Sequence, residues 1–254
     1  MTTVILSGCN GKMGQVLTGM IAQQEDITIV AGFDTTPNAQ SGYPVYQSPA
    51  DCPFSADCVI DFSHPSALTG LLDFCKKSGC GIILATTGYS PEQISEIEAA
   101  SREIRVFRSA NMSLGINVLM ALVRQTAKIL GDSWDIEIVE KHHNRKLDAP
   151  SGTALMLADA AANSLAYTPE YVYDRHSRRQ SRDRQEIGIS AVRGGTIVGE
   201  HDVIFAGTDE VLELRHTAYS REIFAVGAIR AAKYLSSLAA PGLYNMENLV
   251  SEVI

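Results

Sequence analysis

The chain has 254 residues, of which 45% are hydrophobic and 20% charged, a composition typical of a globular protein rather than a disordered or fibrous one. Its 21 Lys and Arg residues against 29 Asp and Glu give a formal net charge of −8, which argues against bulk attraction to nucleic acid or anionic lipid. The apolar run at 118–123 is far shorter than the roughly 20 residues that cross a membrane. We therefore expect no nucleic-acid or membrane partner.

Residues 1–110 alternate short apolar runs with amphipathic stretches, which is typical of a parallel sheet with crossover helices. The third of these helices has a well-defined start, because Ser90 is a candidate N-cap, Pro91 takes the first helical position and Gln93 the third. The pattern predicts strands at 3–7, 27–33, 58–62, 81–85 and 105–108, and helices at 13–24, 66–77 and 91–101.

The pattern changes after residue 113, where we place a domain boundary. Three strands there follow one another without room for helices, which predicts an antiparallel or mixed sheet. We expect one domain from residues 1–113 and 220–254, and a second, α+β domain from residues 114–219. The predicted elements are helices at 114–130, 152–166 and 222–238, and strands at 135–141, 186–193, 196–206 and 210–219.

Gly8, Gly11 and Gly14 lie between the first predicted strand and the first predicted helix. Backbone N–H groups at such a helix start receive a pyrophosphate, and bare glycines let it approach. The spacing is GxxGxxG rather than the commoner GxGxxG, because Asn10 stands where the middle glycine would be. A glycine-rich loop that binds no ligand is therefore an alternative interpretation. Asp34, about 20 residues beyond the last glycine, is placed to bind ribose hydroxyls. Together these features predict a Rossmann-like dinucleotide-binding domain.

Thr35 and Thr36 follow Asp34, so this position offers no guanidinium to a 2′-phosphate, and NADH should be at least as acceptable as NADPH. Lys12 is placed to neutralise part of such a phosphate, so the choice between the two cofactors stays open. Two later turns at strand ends fit the same trough: Ala85, Thr86 and Thr87, and Ser109, Ala110, Asn111 and Met112.

A basic loop follows the strand at 135–141. His142 and His143 leave the strand, Lys146 follows, and Ser151 is placed to cap a helix that begins at Gly152. Imidazoles, an ammonium group and a helix N-terminus concentrate positive potential in an otherwise acidic chain, so a small carboxylate-bearing molecule is the expected ligand. One histidine is expected to face the reacting atom, since imidazole titrates near pH ~6.5, and the other to hold a carboxylate.

Each of these side chains also has a simpler interpretation. A histidine pair is often surface decoration, and a lone lysine is usually solvated. Neither HxxxH nor CxxC occurs, and the five cysteines are odd in number, so we expect neither a metal site nor disulfides. We expect the cysteines to be buried thiols, with Cys9 alone near a ligand. Glu137 and Glu140 are expected to orient neighbours, and the Arg-rich segment at 174–186 to be a solvated loop.

The stretch EKHHNRKLDAPSGTA resembles the signature of the dihydrodipicolinate reductase (4-hydroxy-tetrahydrodipicolinate reductase) family. Five further motifs, spread along nearly the whole chain, agree with the pattern of this family: GxxGxxG, TTG, SANMSLG, VRGG and GEH. The resemblance implies an NAD(P)H-dependent reductase of the diaminopimelate route to lysine, acting on a heterocyclic dicarboxylate with loss of water. It also implies a homotetramer assembled through sheets of the second domain.

The resemblance further assigns site residues. His142 matches the family's acid/base group and Lys146 its second proton donor, whereas His143, Gly152 and Thr153 match positions that hold a substrate carboxylate. The chain departs from the family's pattern at two positions. Thr35 stands where some members carry an Arg for the NADPH phosphate, and Ala85 replaces a common Gly. The positions that match cofactor contacts are Gly8, Cys9, Asn10, Gly11, Lys12, Met13, Asp34, Ala85, Thr86, Thr87, Ser109, Ala110, Asn111 and Met112.

Two other functions stay open at this point. An amino-acid dehydrogenase of the aspartate or homoserine type shares such a cofactor domain, but DAPSGTA argues against its substrate loop. A redox-sensing NAD-binding regulator would normally add a DNA-binding or partner-binding segment, which we do not find. The opening MTTVILSG has neither a basic leader nor a cleavable apolar segment, so we expect a cytoplasmic enzyme. Domain closure is expected to bring the nicotinamide against the substrate ring.

Overall fold

The computed structural model describes residues 1–36 and 42–252. These residues form two compact units. The first unit combines the two ends of the chain, Met1–Leu114 and Glu222–Ile254, and the second is Gly115–Arg221. Within the described residues, no helix has both the length and the apolar character needed to cross a lipid bilayer.

The described residues of the first unit form a seven-stranded sheet in which every pairing is parallel. Two neighbouring strands of this sheet, CVID and GIIL, are buried at every position, as expected for a parallel sheet covered on both faces. The strands are β1 (Thr2–Ser7), β2 (Ile27–Phe33), β3 (Val45–Tyr46), β4 (Cys58–Asp61), β5 (Gly81–Leu84), β6 (Arg105–Arg108) and β12 (Gly242–Tyr244), in the order β12-β6-β5-β4-β1-β2-β3.

Helices of the first unit are α1 (Lys12–Ile21), α2 (Leu68–Ser78), α3 (Pro91–Ala100), α6 (Glu222–Ser237) and α7 (Met246–Ser251). The predicted start of α3 is confirmed, because the Ser90 side chain accepts from the Gln93 N–H and the Gln93 side chain accepts from the Ser90 N–H. The core on one face of the sheet includes Ile5 of β1, Val59 of β4 and Leu71 of α2, each at most 1% exposed. Burial of each such side chain contributes about 1.5–3 kcal/mol.

The second unit contains a five-stranded mixed sheet. The strands β7 (Asp135–His142), β8 (Glu170–Val172), β9 (Glu186–Arg193), β10 (Gly199–Ala206) and β11 (Val211–Ala218) lie in the order β11-β10-β7-β9-β8. β10 pairs antiparallel with β7 and β11, whereas β9 pairs parallel with β7 and β8. The helices α4 (Leu114–Leu130) and α5 (Gly152–Ala162) complete the unit, with α5 packed on this sheet.

The structure confirms the predicted fold class, a Rossmann-like parallel sheet and a second, mixed sheet. It also corrects the element list. The expected helix at 152–166 ends at Ala162, and the expected strand at 196–206 begins only at Gly199. The strands β3, β8 and β12 and the helix α7 were not expected, because two or three strand residues, or six helical ones, show no readable periodicity.

Candidate active site

The glycine turn after β1 is packed so tightly that side chains cannot replace its hydrogens. Gly8 has φ +75°, and a Cβ on Gly14 would lie 2.3 Å from the Gly8 carbonyl oxygen. Gly11 is the N-cap of α1 and offers no side-chain cap. The first N–H groups of α1, from Lys12 and Met13, therefore form a bare helix start that fits the diphosphate of a dinucleotide.

Asp34, the residue after β2, ties the glycine turn to the second strand. Its Oδ2 accepts from the Asn10 N–H at 2.9 Å, and its Oδ1 accepts from the Thr36 N–H at 3.0 Å. The Asn10 side chain also donates to the Thr36 carbonyl oxygen. The turn and the acidic residue, which were predicted to contact the diphosphate and the ribose of one cofactor, are thus part of one hydrogen-bonded structure.

A groove of about 540 Å³ runs along this edge of the first unit. Gly8, Gly11, Asp34 and Thr35 line it, and none of its described lining residues is Lys or Arg. Sequence reasoning did not identify the lining residues Gln47, Phe62, Ser63 and His64. Three of these four follow β4, the neighbour of β1, so the rule that ligands bind at carboxyl ends of parallel strands was the available signal.

Cys9 differs from the other residues of the turn. Its side chain is 1% exposed and packs against β2, close enough that a Cβ on Gly32 would lie 2.7 Å from its Sγ. Burial, followed by the charge of Asp34, raises the pKa of the Cys9 thiol to about 11. Only the backbone of Cys9 is therefore available to a ligand in the turn. Cys58, Cys75 and Cys80 are also buried, as expected, while Cys52 is half-buried.

The two later turns that were predicted to contact the cofactor follow β5 and β6, on the same edge of the parallel sheet as the glycine turn. Thr86 Oγ1 donates at 2.8 Å to Oδ2 of Asp61, a carboxylate that is 1% exposed at the end of β4. Ser63 and Tyr89 also donate to Asp61. Sequence reasoning missed this buried carboxylate, which fixes the position of the turn at 85–87.

The turn at 109–112 is organised by its own side chains. Asn111 Oδ1 accepts from the Ser113 N–H at 2.9 Å, and Ser109 Oγ donates to the Asn111 carbonyl oxygen at 3.2 Å. Ala110 is exposed, whereas Met112 is 4% exposed and its carbonyl lies against Gly227 of α6. Met112 therefore anchors the turn.

In the second unit, a buried carboxylate lies behind the predicted catalytic histidine. Glu140 is fully buried, and its Oε2 lies 2.6 Å from Nδ1 of His142. Both terminal nitrogens of Arg193 donate to it at 2.7 Å, and the Ser151 N–H donates at 3.0 Å. Burial raises the pKa of Glu140, but the hydrogen bonds from Arg193, His142 and Ser151 outweigh it and lower that pKa overall. Glu140 is therefore ionised at neutral pH.

His142 lies at the end of β7 with its side chain 12% exposed. A Cβ at Gly199 would lie 3.2 Å from its Nε2, so the absence of a side chain there leaves space beside this nitrogen. On another side, the ring meets the buried imidazole of His201 edge-on, with centroids 5.2 Å apart. Burial, followed by the nearby His142, lowers the pKa of His201 to about 4.

The loop after β7 holds the other predicted substrate residues. The Nδ1 atom of His143 is buried and has no hydrogen-bond partner among the described residues. Lys146 pairs with Asp148 at 2.8 Å, and this ammonium lowers the pKa of the Asp148 carboxyl. His143 therefore has an unused polar atom within this loop, and Lys146 is held near it by the 143–146 turn.

The predicted cap of α5 is confirmed. Ser151 Oγ accepts from the Ala154 N–H at 3.1 Å and lies 3.0 Å from Nε2 of His201. Gly152 and Thr153 form the first turn of α5, where N–H groups and the helix dipole favour an anion. The second unit therefore contains His142, His143, Lys146, Gly152 and Thr153 on one strand end, one loop and one helix start.

The Arg-rich segment at 174–186 is largely an exposed loop, as expected, but two of its arginines are tied to the sheet. Arg182 donates to Asp135 and Glu137 and to three backbone carbonyls, and Arg175 donates to Glu137 and Glu186. These contacts hold the segment on the sheet, where carboxylates spaced along β7 and β9 receive the guanidinium groups. Among the described residues, no cluster of His, Cys, Asp or Glu side chains is suited to a metal ion.

Comparison with known proteins gives consistent results for both units. The family model for the N-terminus of dihydrodipicolinate reductase matches residues 2–112, and that for its C-terminus matches residues 115–250. The 4-hydroxy-tetrahydrodipicolinate reductase of Caldanaerobacter subterraneus subsp. tengcongensis is 51% identical, with 99% of each chain covered. That of Clostridium botulinum is 46% identical, with 98% of each chain covered.

A solved structure has the same fold. The dipicolinate-bound dihydrodipicolinate reductase from Paenisporosarcina sp. TG-14 superposes with a TM-score of 0.80 at 23% identity, covering 98% of this chain and 99% of that one. Matches to both family models, and close relatives aligned over nearly their full length, lead to one assignment. The chain belongs to the dihydrodipicolinate reductase family.

Proposed function

We propose that the chain catalyses the NAD(P)H-dependent reduction of 4-hydroxy-tetrahydrodipicolinate to tetrahydrodipicolinate, with loss of water, in lysine biosynthesis through diaminopimelate. The observation that carries the proposal is the arrangement in the second unit. There, a histidine backed by a buried carboxylate lies on the same strand end as the loop of His143 and Lys146. Each turnover transfers one hydride and one proton to the substrate and releases one water molecule.

The first unit is assigned to the cofactor. When bound, NAD(P)H supplies the hydride from C4 of its nicotinamide. The helix start at Lys12 and Met13 binds the diphosphate, and the Asp34 carboxylate accepts from ribose hydroxyls. The turns at 85–87 and 109–112 contact the rest of the cofactor through backbone groups and short polar side chains. We assign NADH and NADPH together as cofactors.

The second unit is assigned to the dicarboxylate. His143, with its unused buried nitrogen, and the N–H groups of Gly152 and Thr153 bind substrate carboxylate. Lys146 protonates the hydroxyl group that leaves as water, while the neighbouring ring carbon loses one proton. His142 delivers a proton to the ring through Nε2 as the hydride arrives, so the net gain is one hydride and one proton. Dipicolinate, which is bound in the Paenisporosarcina enzyme, is a planar dicarboxylate of the kind that such a site accepts.

We also propose that the protein acts in the cytoplasm as a homotetramer joined through the second sheet. Among the described strands of that sheet, β11 lies at one edge, and Val211 and Leu212 on it are 60% and 41% exposed. Apolar side chains on an edge strand are typical of a surface that pairs with another copy. Sedimentation velocity at several protein concentrations tests this assembly, and a monomer at every concentration would overturn it.

A coupled assay tests the reaction. The unstable substrate is generated in the cuvette by condensing pyruvate with aspartate semialdehyde, and absorbance at 340 nm follows NADH or NADPH in separate runs. We expect cofactor oxidation that depends on both precursors. A parallel run with aspartate semialdehyde and no pyruvate is the control for a homoserine-type dehydrogenase, which would oxidise the cofactor by reducing the aldehyde to an alcohol. Oxidation in the control, or none in the complete assay, would refute the proposal.

A further inference from the structure

We propose that Glu140 is a positioning residue that fixes the tautomer and orientation of His142, so that the imidazole exchanges its proton only through Nε2. The inference rests on the proposed function and concerns the residue that acts through the histidine. It comes from the hydrogen bonds of one fully buried carboxylate.

The carboxylate of Glu140 has no spare acceptor position. Oε1 accepts from Ser151 N–H and one Arg193 nitrogen, and Oε2 accepts from the other Arg193 nitrogen and faces His142 Nδ1. An ionised carboxylate only accepts hydrogen bonds, with about four lone-pair sites on its two oxygens. The contact at 2.6 Å therefore requires a hydrogen on Nδ1 of His142.

That requirement determines the role of the second ring nitrogen. With Nδ1 protonated, neutral His142 carries its lone pair on Nε2, and the imidazolium carries its exchangeable proton there. Nε2 makes no hydrogen bond within the described residues, and Gly199 keeps the neighbouring space free of a side chain. His142 thus presents to a ligand a nitrogen that either gives or takes a proton.

Arg193 explains how an ionised carboxylate is tolerated at full burial. Its guanidinium makes a two-pronged contact with Glu140 from the neighbouring strand β9, where Arg193 pairs with His142. A lone buried carboxylate without such a partner would be strongly destabilising. Arg193 also donates to the Asp148 carbonyl oxygen at 2.7 Å, which fixes the loop that carries Lys146.

Glu140 also holds the start of α5 through the Ser151 N–H, one residue before Gly152. The same carboxylate therefore sets the position of the proton-transferring ring and of the helix start assigned to the substrate carboxylate. Removing its charge should lower kcat and raise KM for the dicarboxylate together. A residue that only stabilised the fold would change neither the tautomer of His142 nor the ratio of these two constants.

The test compares Glu140→Gln with Glu137→Gln, its matched control. Both changes remove one carboxylate from β7 beside arginines, but Glu137 contacts Arg175 and Arg182 and not His142. Histidine-selective 15N labelling of the full chain, with His142→Gln to assign the signal, reports the tautomer at neutral pH. Steady-state kinetics measure kcat and the KM for the dicarboxylate, and NADH titration measures the Kd of the cofactor.

In the wild-type chain and in Glu137→Gln we expect the Nδ1–H form of His142. In Glu140→Gln we expect a mixture of tautomers, a kcat lowered about 10²-fold, a raised KM for the dicarboxylate, and an unchanged Kd for NADH. A wild-type His142 protonated at Nε2 alone would overturn the proposal without any variant. The proposal would also be overturned if Glu140→Gln had the same His142 tautomer and the same kcat as Glu137→Gln.

The labelling result is separate from the proposed function. If the wild-type chain oxidises no cofactor, the proposed function fails, while the tautomer measurement still tests the role of Glu140. If the chain is active and the tautomer is independent of residue 140, only the positioning role fails. Glu140→Asp, which keeps the charge on a shorter side chain, should retain the Nδ1–H form and more activity than Glu140→Gln.

Discussion

Ser151 Oγ lies 3.0 Å from Nε2 of His201, and both side chains are buried. The pKa of His201 in the folded chain is about 4, below its ordinary 6.5, so the unfolded chain binds more protons between those values. The free energy of unfolding should therefore be highest above pH 6.5 and fall as pH drops towards 4. The expected loss is about 3 kcal/mol, at about 1.4 kcal/mol per pKa unit.

Urea unfolding at pH 7 and pH 4.5 measures this loss. His201→Gln keeps a polar side chain beside Ser151 but does not titrate, so its stability should depend less on pH over this interval. His176→Gln, at an exposed position, should keep the wild-type dependence. Equal slopes for the His201 variant and the wild-type chain would rule out His201 as the source.

Two glycines of α1 provide a matched test of the turn geometry. Gly14→Ala places a Cβ within 2.3 Å of the Gly8 oxygen, so we expect lower stability by about 1–3 kcal/mol and weak NADH binding. Gly19→Ala meets no atom within 4 Å and should stabilise the helix by up to about 1 kcal/mol. Thermal unfolding and NADH fluorescence titration check both. Tight NADH binding by Gly14→Ala would contradict the packed turn.

Replacing His142 or Lys146 with Ala should lower kcat by about 10²–10⁴-fold, because each change removes a proton donor. The Kd for NADH should stay within twofold of the wild-type value, since the cofactor contacts are assigned to the other unit. The coupled assay and equilibrium titration measure the two quantities separately. Loss of NADH binding in either variant would contradict this division of roles.

Thr35→Arg should shift cofactor preference towards NADPH. The groove beside Asp34 has no Lys or Arg among its described lining residues, and a guanidinium there would pair with a 2′-phosphate. We expect wild-type chain to bind NADH at least as tightly as NADPH, and the variant to bind NADPH about tenfold more tightly than the wild type does. Calorimetric titration with each cofactor measures both, and Thr35→Gln is the uncharged control.

Gly199→Ala should lower kcat about tenfold, because the added methyl group lies 3.2 Å from Nε2 of His142 and displaces the ring. Gly194→Ala is the comparison, since a Cβ there meets only the end of Ile197, at 4.0 Å. A wild-type kcat in the Gly199 variant would show that the space beside Nε2 is not needed for turnover.

Several parts of the fold could be read from local sequence. Strand β2 at 27–33 and helix α4 at 114–130 have the expected bounds, because long periodic runs and capping residues are local signals. The role of Arg193 could not be read in this way. It lies 53 residues from Glu140, and the contact exists only because β7 and β9 pair in parallel register.

In the candidate site too, local sequence signals identified some residues, whereas others depend on which strands pair. The histidine pair and the cap at Ser151 were identified from local sequence, because a capping side chain and its partner are three residues apart. The groove beside Asp34 was only partly identified. Phe62, Ser63 and His64 carry no recognisable motif, and they join Gly8 only because β4 is the neighbour of β1 in the sheet.

The discontinuous first unit has a consequence for biosynthesis on the ribosome. Strand β12 pairs with β6, and α6 packs on β1, β4, β5 and β6, yet both elements are translated after residue 221. The nascent chain therefore emerges with the segment for its second unit complete, while the parallel sheet still lacks an edge strand and a covering helix. Emergence of α6 and β12, rather than emergence of the glycine turn, marks the earliest moment at which the nucleotide-binding half can reach its native form.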